Sequence, residues 1–172
     1  MSSASIRQDN ARSVAAEIVR RVVYDDAFSQ LAISNALDES TLDRRDRGFV
    51  THLAYGTLTY LGGIERILDE KLKKGISSVE HACASQMRVA TFERFFALDP
   101  PASAVIVNEA VDALPQHTPK KLRGLVNGVL RNLIRSYDDV VETIATHEWH
   151  GLQPWILESI TEQIGEDRAR EV

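Results

Sequence analysis

The sequence predicts an all-α protein, and three observations lead to that prediction. Apolar residues recur at three- and four-residue intervals along most of the chain, the spacing that aligns side chains on one face of a helix. No long run alternates apolar and polar residues with the period of two typical of strands. Short polar segments separate the helical stretches. A domain of packed helices is therefore expected.

Length and composition are those of one globular domain, with at most a short appendage. The chain has 172 residues, of which 44% are hydrophobic and 6% aromatic. Its single cysteine, Cys83, excludes an intramolecular disulfide and favours a reducing, cytoplasmic setting. The amino-terminal residues are polar, and no apolar stretch is long enough to span a membrane. A soluble, unexported protein without a membrane partner is expected.

The first half of the chain predicts three helical stretches. Asn10 is placed to cap the first helix, and a second, short helix covers residues 27–37. The third stretch is interrupted at Gly62-Gly63, where a kink or two abutting helices are expected. Gly56, within the same stretch, predicts that another part of the fold packs closely against the backbone.

The central core helix is predicted to begin at Ser77, because Ser77 and Glu80 have the spacing of a capping box. Arg88 lies among the apolar residues of this helix, where an unpaired charge would be costly. It therefore needs an acidic partner from elsewhere, and Glu109 in the following helix is the candidate.

The stretch from Thr118 to Arg135 gives the clearest predicted helix and the clearest candidate binding surface. Thr118 suits the cap position and Pro119 the first turn. One face is apolar and comprises Leu122, Leu125, Val126, Val129, Leu130, Leu133 and Ile134. The opposite face carries Lys120, Gly124, Gly128, Arg131 and Arg135, with Lys121 beside them.

This polar face has two interpretations. The stretch contains five basic residues and no acidic residue, which favours contact with phosphates but also fits a solvated helix edge. Each mid-helix glycine costs roughly 1 kcal/mol relative to alanine, so something is expected to approach the backbone closely. The approaching group is either a neighbouring helix or a phosphate chain.

Charge is distributed unevenly along the chain. The net charge is -5, but residues 136–172 hold nine acidic and two basic groups, whereas residues 1–135 hold 16 acidic and 18 basic groups. Arg7 is expected on a mobile amino-terminal arm and Arg12 on the exposed side of the first helix, and both suit phosphate contact. A mildly basic body is thus followed by an acidic tail.

Sequence motifs for catalysis or metal binding are missing. The five histidines show no paired-ligand spacing, and Cys83 has no companion ligand. No phosphate loop, dinucleotide fingerprint or nucleophile elbow is present. We therefore predict no catalytic residue and no metal site.

Five blocks of sequence resemble the NusB family, in the family's order. They are ARSVAAEIV at 11–19, AYGTLTYLGGIERIL at 54–68, QMRVATFERFFAL at 86–98, PASAVIVNEAVDAL at 101–114 and LVNGVLRNLIR at 125–135. The resemblance implies two packed three-helix bundles and an RNA-binding role. Two departures are Thr59, where methyltransferase relatives commonly have arginine, and an AVIV segment that is one residue longer than usual.

Two branches of the family remain open. The NGVL block is followed by Arg131 and Arg135. This arginine-rich helix end resembles the same block in the amino-terminal domain of ribosomal RNA 5-methylcytosine methyltransferases of the RsmB (Sun/Fmu) type. Residues 153–172 look like the connector that precedes the methyltransferase core. We thus expect an RNA-binding domain at 1–137 and an acidic helical connector at 138–172, with the S-adenosylmethionine-binding domain absent and no cofactor in this chain.

The first hypothesis is a non-catalytic domain that helps such a methyltransferase engage ribosomal RNA. The second is a transcription antitermination factor that binds a boxA-type leader RNA with a small ribosomal protein. A structural or protein-interaction domain is the third. For RNA binding, the candidate contacts are Arg7, Arg12, Lys120, Lys121, Arg123, Arg131 and Arg135.

Overall fold

The computed structural model describes residues 10–146, and these residues form eight α-helices and no strand. The all-α prediction is confirmed. The helices are α1 (Ala11–Tyr24), α2 (Ser29–Glu39), α3 (Arg44–Thr59), α4 (Leu61–Lys71), α5 (His81–Phe95), α6 (Ser103–Asp112), α7 (Lys120–Arg135) and α8 (Tyr137–Thr146), and a short 3-10 turn (Ile76–Ser78) precedes α5.

Helix α5 lies at the centre of the fold, as the sequence predicts. Its buried segment runs without interruption from Cys83 to Glu93. It packs against α1, α3, α4, α6 and α7. Helices α1, α2 and α3 pack together as an amino-terminal bundle, while α7 packs on α4, α5 and α6. One continuous hydrophobic core joins the two groups of helices.

The helix starts follow from local hydrogen bonding, and two of the three predicted caps need correction. Asn10 caps α1 as predicted, because its side chain accepts a 2.8 Å hydrogen bond from the Arg12 N–H. The predicted capping box at Ser77 is wrong: Glu80 itself caps α5 by accepting from two backbone N–H groups. The 3-10 turn and buried Val79 occupy the residues before it, which delays the helix. Similarly, Pro119 rather than Thr118 is the cap residue of α7.

Glycines in the third stretch have the roles that the sequence predicts. Helix α3 ends at Thr59 and α4 begins at Leu61, so two helices abut beside Gly62-Gly63 and share Tyr60 as their cap. A side chain at Gly56 would overlap the ring of Phe92, which lies against the α3 backbone. The absence of a Cβ at Gly56 therefore permits the close approach of α3 and α5.

Arg88 has a different partner from the predicted Glu109. Its side chain is 3% exposed, and its Nη2 atom lies 2.9 Å from Oε1 of Glu65 on α4. The Nη1 group donates a 2.8 Å hydrogen bond to the hydroxyl of Tyr24 on α1. The Oε2 atom of Glu109 instead lies 3.8 Å from Nη1 of Arg12, near the Glu93 end of α5. The prediction was wrong because α1 and α4, rather than α6, cover the side of α5 that carries Arg88.

Cys83 is a buried, unreactive thiol. Burial, and after it the neighbouring carboxylate of Glu80, raise its pKa to about 12. The thiol therefore stays protonated near neutral pH, where a thiolate would be needed for nucleophilic or metal chemistry.

Within residues 10–146, no helix is both long and apolar enough to cross a membrane.

Candidate nucleic-acid interface

Helix α7 presents a basic surface to solvent. We define the α7 basic face as the four exposed cations Lys120, Lys121, Arg131 and Arg135 together with the exposed glycines Gly124 and Gly128. The helix has no acidic residue. At about 1.5 Å per residue, the face extends over roughly 22 Å. Opposite this face, Val126, Val129, Leu130 and Leu133 are buried in the core, so packing fixes the orientation of the helix.

The charges of the α7 basic face are not neutralised by the described part of the chain. Between residues 10 and 146, no carboxylate forms an ion pair with any of the four cations. Arg131 donates one hydrogen bond, to Oδ1 of Asn127 at 3.1 Å. Two lysines occupy the first turn of α7, which has no side-chain cap, and the positive end of the helix dipole makes that position favourable for an anion.

The two glycines of the α7 basic face are open to solvent. A Cβ atom added at Gly124 or Gly128 would meet no other atom within 4 Å. A neighbouring helix therefore does not explain them, in contrast to Gly56. Contact with a phosphate chain, the other explanation, stays a prediction. The two residues expose a strip of helix backbone between the cations.

Leu125 lies at the border of the α7 basic face rather than in the core. The sequence places it on the apolar face, but 36% of the residue is exposed, so that expectation is wrong. The helices that pack on α7 bury Val126 and Val129 but leave Leu125 partly exposed. Leu125 is thus an apolar side chain available beside Lys121 and Gly128, which are its neighbours one helical turn away.

Arg123 is part of the same helix but serves the fold. Its guanidinium donates hydrogen bonds to three backbone carbonyls, those of Thr118 at 3.2 Å, Val111 at 3.0 Å and Pro115 at 2.7 Å. These bonds hold the loop between α6 and α7 against the start of α7. An RNA contact by Arg123 stays a prediction, and it would have to compete with these bonds.

Arg12 also has partners within the protein. Its side chain is only 14% exposed, so the expectation that it lies on the exposed side of α1 is wrong. Arg12 forms a two-pronged ion pair with buried Glu93, with Nε to Oε2 at 2.9 Å. Its Cζ lies 5.2 Å from the ring centroid of Phe49. Arg7 lies outside the described residues, and RNA contacts by both arginines stay predictions.

The other two arginines of α1, which are half-buried, are paired with acids. Glu17 accepts hydrogen bonds from Arg20 and Arg21, and these two arginines also contact Asp25 and Glu39 respectively. The hydrogen bond from Arg20 is the largest cause of the lowered pKa of Glu17. The outer surface of α1 is therefore a mixed ion-pair network, unlike the α7 basic face.

Sequence reasoning missed an exposed cluster where α5 ends and α8 begins. The Cζ of Arg94 lies 4.4 Å from the ring centroid of Tyr137, and the ring of Phe95 stacks on Tyr137 with centroids 5.9 Å apart. The Arg94 Nε donates a 2.9 Å hydrogen bond to Ser103. The cluster joins residues more than forty positions apart in the sequence, so no local spacing signals it.

The described residues offer no alternative site for metal-dependent chemistry. No group of three His, Cys, Asp or Glu side chains is placed to hold a metal ion within the described part. Within residues 10–146, fold and surface together define a helical domain in which α7 carries basic side chains and no acidic one. The chain belongs to the NusB family, whose match covers residues 9–135.

Curated relatives match most of this chain in sequence. Ribosomal RNA small subunit methyltransferase B of Pectobacterium atrosepticum is 27% identical over 152 residues, and that of Yersinia enterocolitica is 28% identical over the same length. These matches cover 88% of this chain and 34% of the relatives. The chain thus spans about a third of the length of the curated relatives it matches.

Among solved structures, the fold is similar to NusB proteins. The complex of antitermination factors NusB and NusE with double-stranded RNA matches with a TM-score of 0.65 and 17% identity, covering 74% of this chain and 95% of the other. NusB of T. maritima matches with a TM-score of 0.61 and 20% identity, over 78% of this chain and 92% of the other. These likenesses establish the NusB-like fold.

Proposed function

We propose that this chain is a non-catalytic RNA-binding domain that helps a ribosomal RNA cytosine-5 methyltransferase engage small-subunit ribosomal RNA. The observation that carries the proposal is the α7 basic face: four cations without acidic partners among the described residues, on a helix whose backbone is exposed at two glycines. Similarity to ribosomal RNA small subunit methyltransferase B supports the choice of RNA and of reaction.

The α7 basic face has the dimensions of a phosphate-binding surface. Its cations are spread over roughly 22 Å of helix, so they can contact several phosphates of one strand and not a single anion. Each phosphate neutralised releases condensed counterions, which makes the affinity strongly dependent on salt concentration. The exposed glycines allow the sugar-phosphate chain to lie close to the helix between the cations.

The proposal gives this chain no part in methyl transfer. In the proposed enzyme, S-adenosylmethionine and the catalytic residues would lie in a region that corresponds to the part of the relatives outside the match with this chain. The contribution of the α7 basic face would be to raise the local concentration of the RNA and to orient it. Such backbone contacts position a nucleic acid without reading its sequence.

A second candidate function is antitermination, in which the chain would bind a boxA-type leader RNA together with a small ribosomal protein. The observation that favours it is the similarity of the fold to NusB in its complex with NusE and double-stranded RNA. Binding to a boxA-type RNA that is strengthened by a small ribosomal protein would support this function, whereas stronger binding to a small-subunit ribosomal RNA fragment alone would support the first.

The α7 basic face can be tested with the double substitution Lys120→Ala/Arg131→Ala. The two side chains are exposed and form no ion pair with the described residues, so the free energy of unfolding should change by no more than about 0.5 kcal/mol. RNA affinity should fall, and the slope of log K against log salt should become shallower by roughly 0.7 to 0.9 for each lost phosphate contact. Titrations at several salt concentrations measure both quantities.

The matched control is Arg66→Ala/Lys73→Ala, which removes two exposed cations near α4. This control should retain the affinity and the salt slope of the wild type. A folded Lys120→Ala/Arg131→Ala protein with an unchanged salt slope would contradict the proposal, and it would move the RNA surface to another part of the chain.

A further inference from the structure

The cluster at the junction of α7 and α8 combines an exposed aromatic ring with a guanidinium that has unused donors. Tyr137 is 41% exposed. The Arg94 Cζ lies 4.4 Å from the centroid of the Tyr137 ring and 5.6 Å from that of Phe95. We call these three side chains the Arg94–Tyr137 platform.

Arg94 is held in place without being neutralised. Its Nε donates to the hydroxyl of Ser103, and this is the hydrogen bond that orients the guanidinium. No carboxylate of residues 10–146 forms an ion pair with it. Its two terminal amino groups have no acceptor among the described residues, and its Cζ stays close to the Tyr137 ring.

The Arg94–Tyr137 platform follows the end of the α7 basic face in the sequence. Arg135, the last residue of α7, precedes Tyr137 by two positions. On the neighbouring helix α4, Lys71 donates a 3.1 Å hydrogen bond to Ser136, which places another cation at the junction. Asp138 and Asp139 follow Tyr137 in α8, so a phosphate chain would approach from the side of Arg135 and Lys71.

We propose that the Arg94–Tyr137 platform is a base-stacking site, on which an unpaired nucleobase of a single-stranded RNA segment rests while its phosphates continue along the α7 basic face. Single-stranded nucleic acids are bound by pairing a cationic track with aromatic rings, because every base has a face that can stack. This inference rests on the proposed RNA binding but adds single-strandedness and a named ring to it.

The test is the affinity of Tyr137→Leu for a single-stranded oligoribonucleotide and for its fully paired duplex. Loss of one stacked base should weaken binding to the single strand by roughly 5- to 100-fold. Its salt slope should stay that of the wild type, because stacking releases no counterions. Binding to the duplex should change little. The Tyr137→Phe variant keeps the ring and should keep the affinity.

The matched control is Tyr55→Leu, since Tyr55 is 46% exposed on α3 and no cation of residues 10–146 lies over its ring. It should bind both RNAs like the wild type. A second measurement uses Tyr137→Trp, whose added fluorescence over that of the wild type should be quenched by the single strand and not by inorganic polyphosphate, which has no bases.

Two results would overturn the inference. One is unchanged single-strand affinity in a folded Tyr137→Leu protein while Lys120→Ala/Arg131→Ala loses affinity, which leaves the proposed function intact. The other is equal weakening of single-strand and duplex binding by Tyr137→Leu with no quenching of Tyr137→Trp, as expected if the ring only anchors α8. Failure of RNA binding to respond to Lys120→Ala/Arg131→Ala would instead count against the proposed function.

Discussion

At the scale of single residues, the arginines divide by whether the fold supplies their partners. Arg12 and Arg88 form ion pairs with Glu93 and Glu65, and Arg123 donates to three carbonyls. Arg131 and Arg135 have no acidic partner in the part of the molecule that the structure describes. Charge alone does not separate these groups, because all five residues are equally basic in the sequence.

The ion pair of Arg88 leads to a prediction about stability. Glu65→Ala should destabilise the protein by about 3–5 kcal/mol, because it leaves the guanidinium of Arg88, 3% exposed, without its carboxylate. Glu109→Ala should cost no more than about 1 kcal/mol, since Glu109 is 41% exposed and lies 3.8 Å from Arg12. Denaturant unfolding of both variants measures the difference. Equal losses, or a larger loss for Glu109→Ala, would restore Glu109 as the functional partner of Arg88.

At the scale of elements, α7 combines a buried apolar face with a polar face that is not optimised for helix stability. Two glycines and two first-turn lysines all disfavour the helix, and burial of Val126, Leu130 and Leu133 offsets them. Gly56 in α3 has a packing reason, whereas Gly124 and Gly128 have none within the described fold. The RNA binding proposed for the α7 basic face would account for this difference.

Alanine substitution of these glycines should separate stability from binding. Gly124→Ala and Gly128→Ala should each stabilise the protein by up to about 1 kcal/mol, because alanine favours the helix and the added methyl group meets open space. RNA affinity should nevertheless fall, because the methyl group holds the phosphate chain away from the backbone. Thermal unfolding and RNA titration on the same samples provide the two measurements.

Gly48→Ala is the control for this experiment. Gly48 also lies in an α-helix, is exposed, and has open space at its Cβ position. This substitution should stabilise the protein similarly and leave RNA binding unaltered. If Gly128→Ala and Gly124→Ala bound RNA as well as Gly48→Ala does, close approach of RNA to the α7 backbone would be disproved.

At the scale of the whole molecule, the net negative charge of the protein works against the attraction of RNA to the basic surface of α7. The net charge is -5, and residues 147–172 hold six acidic and two basic groups. Helix α8 spans the predicted boundary at 137/138, and its Val140 is 4% exposed and belongs to the core. A truncation that keeps the core therefore has to follow Thr146 rather than Arg135 or Tyr137.

Removal of residues 147–172 should strengthen nonspecific RNA binding. The deletion removes a net charge of -4 and so reduces the repulsion between the protein and the phosphates. The gain should be largest at low salt and should shrink as the salt concentration rises. Titrations of the full-length and truncated chains with a mixed-sequence RNA measure it. A truncated protein that is folded but binds equally or more weakly would rule out an electrostatic effect of the tail.

The helices and the basic face of α7 were predictable from the order of the residues alone. Both depend on residues three or four positions apart, and the i to i+4 geometry of a helix converts that spacing directly into a surface. Asn10 as a cap, the break at Gly62-Gly63 and the close packing at Gly56 were predictable for the same local reason.

The contacts between side chains of different helices could be seen only in the packed fold. It paired Arg88 with Glu65 instead of Glu109, buried Arg12 beside Glu93, left Leu125 exposed and brought Arg94 to Tyr137. Each of these outcomes depends on how helices distant in sequence pack, because the angle and offset between two helices determine which residues of a predicted face are covered. The RNA surface proposed for α7 was therefore visible in the sequence, whereas the stacking platform beside it became visible only after the helices were packed.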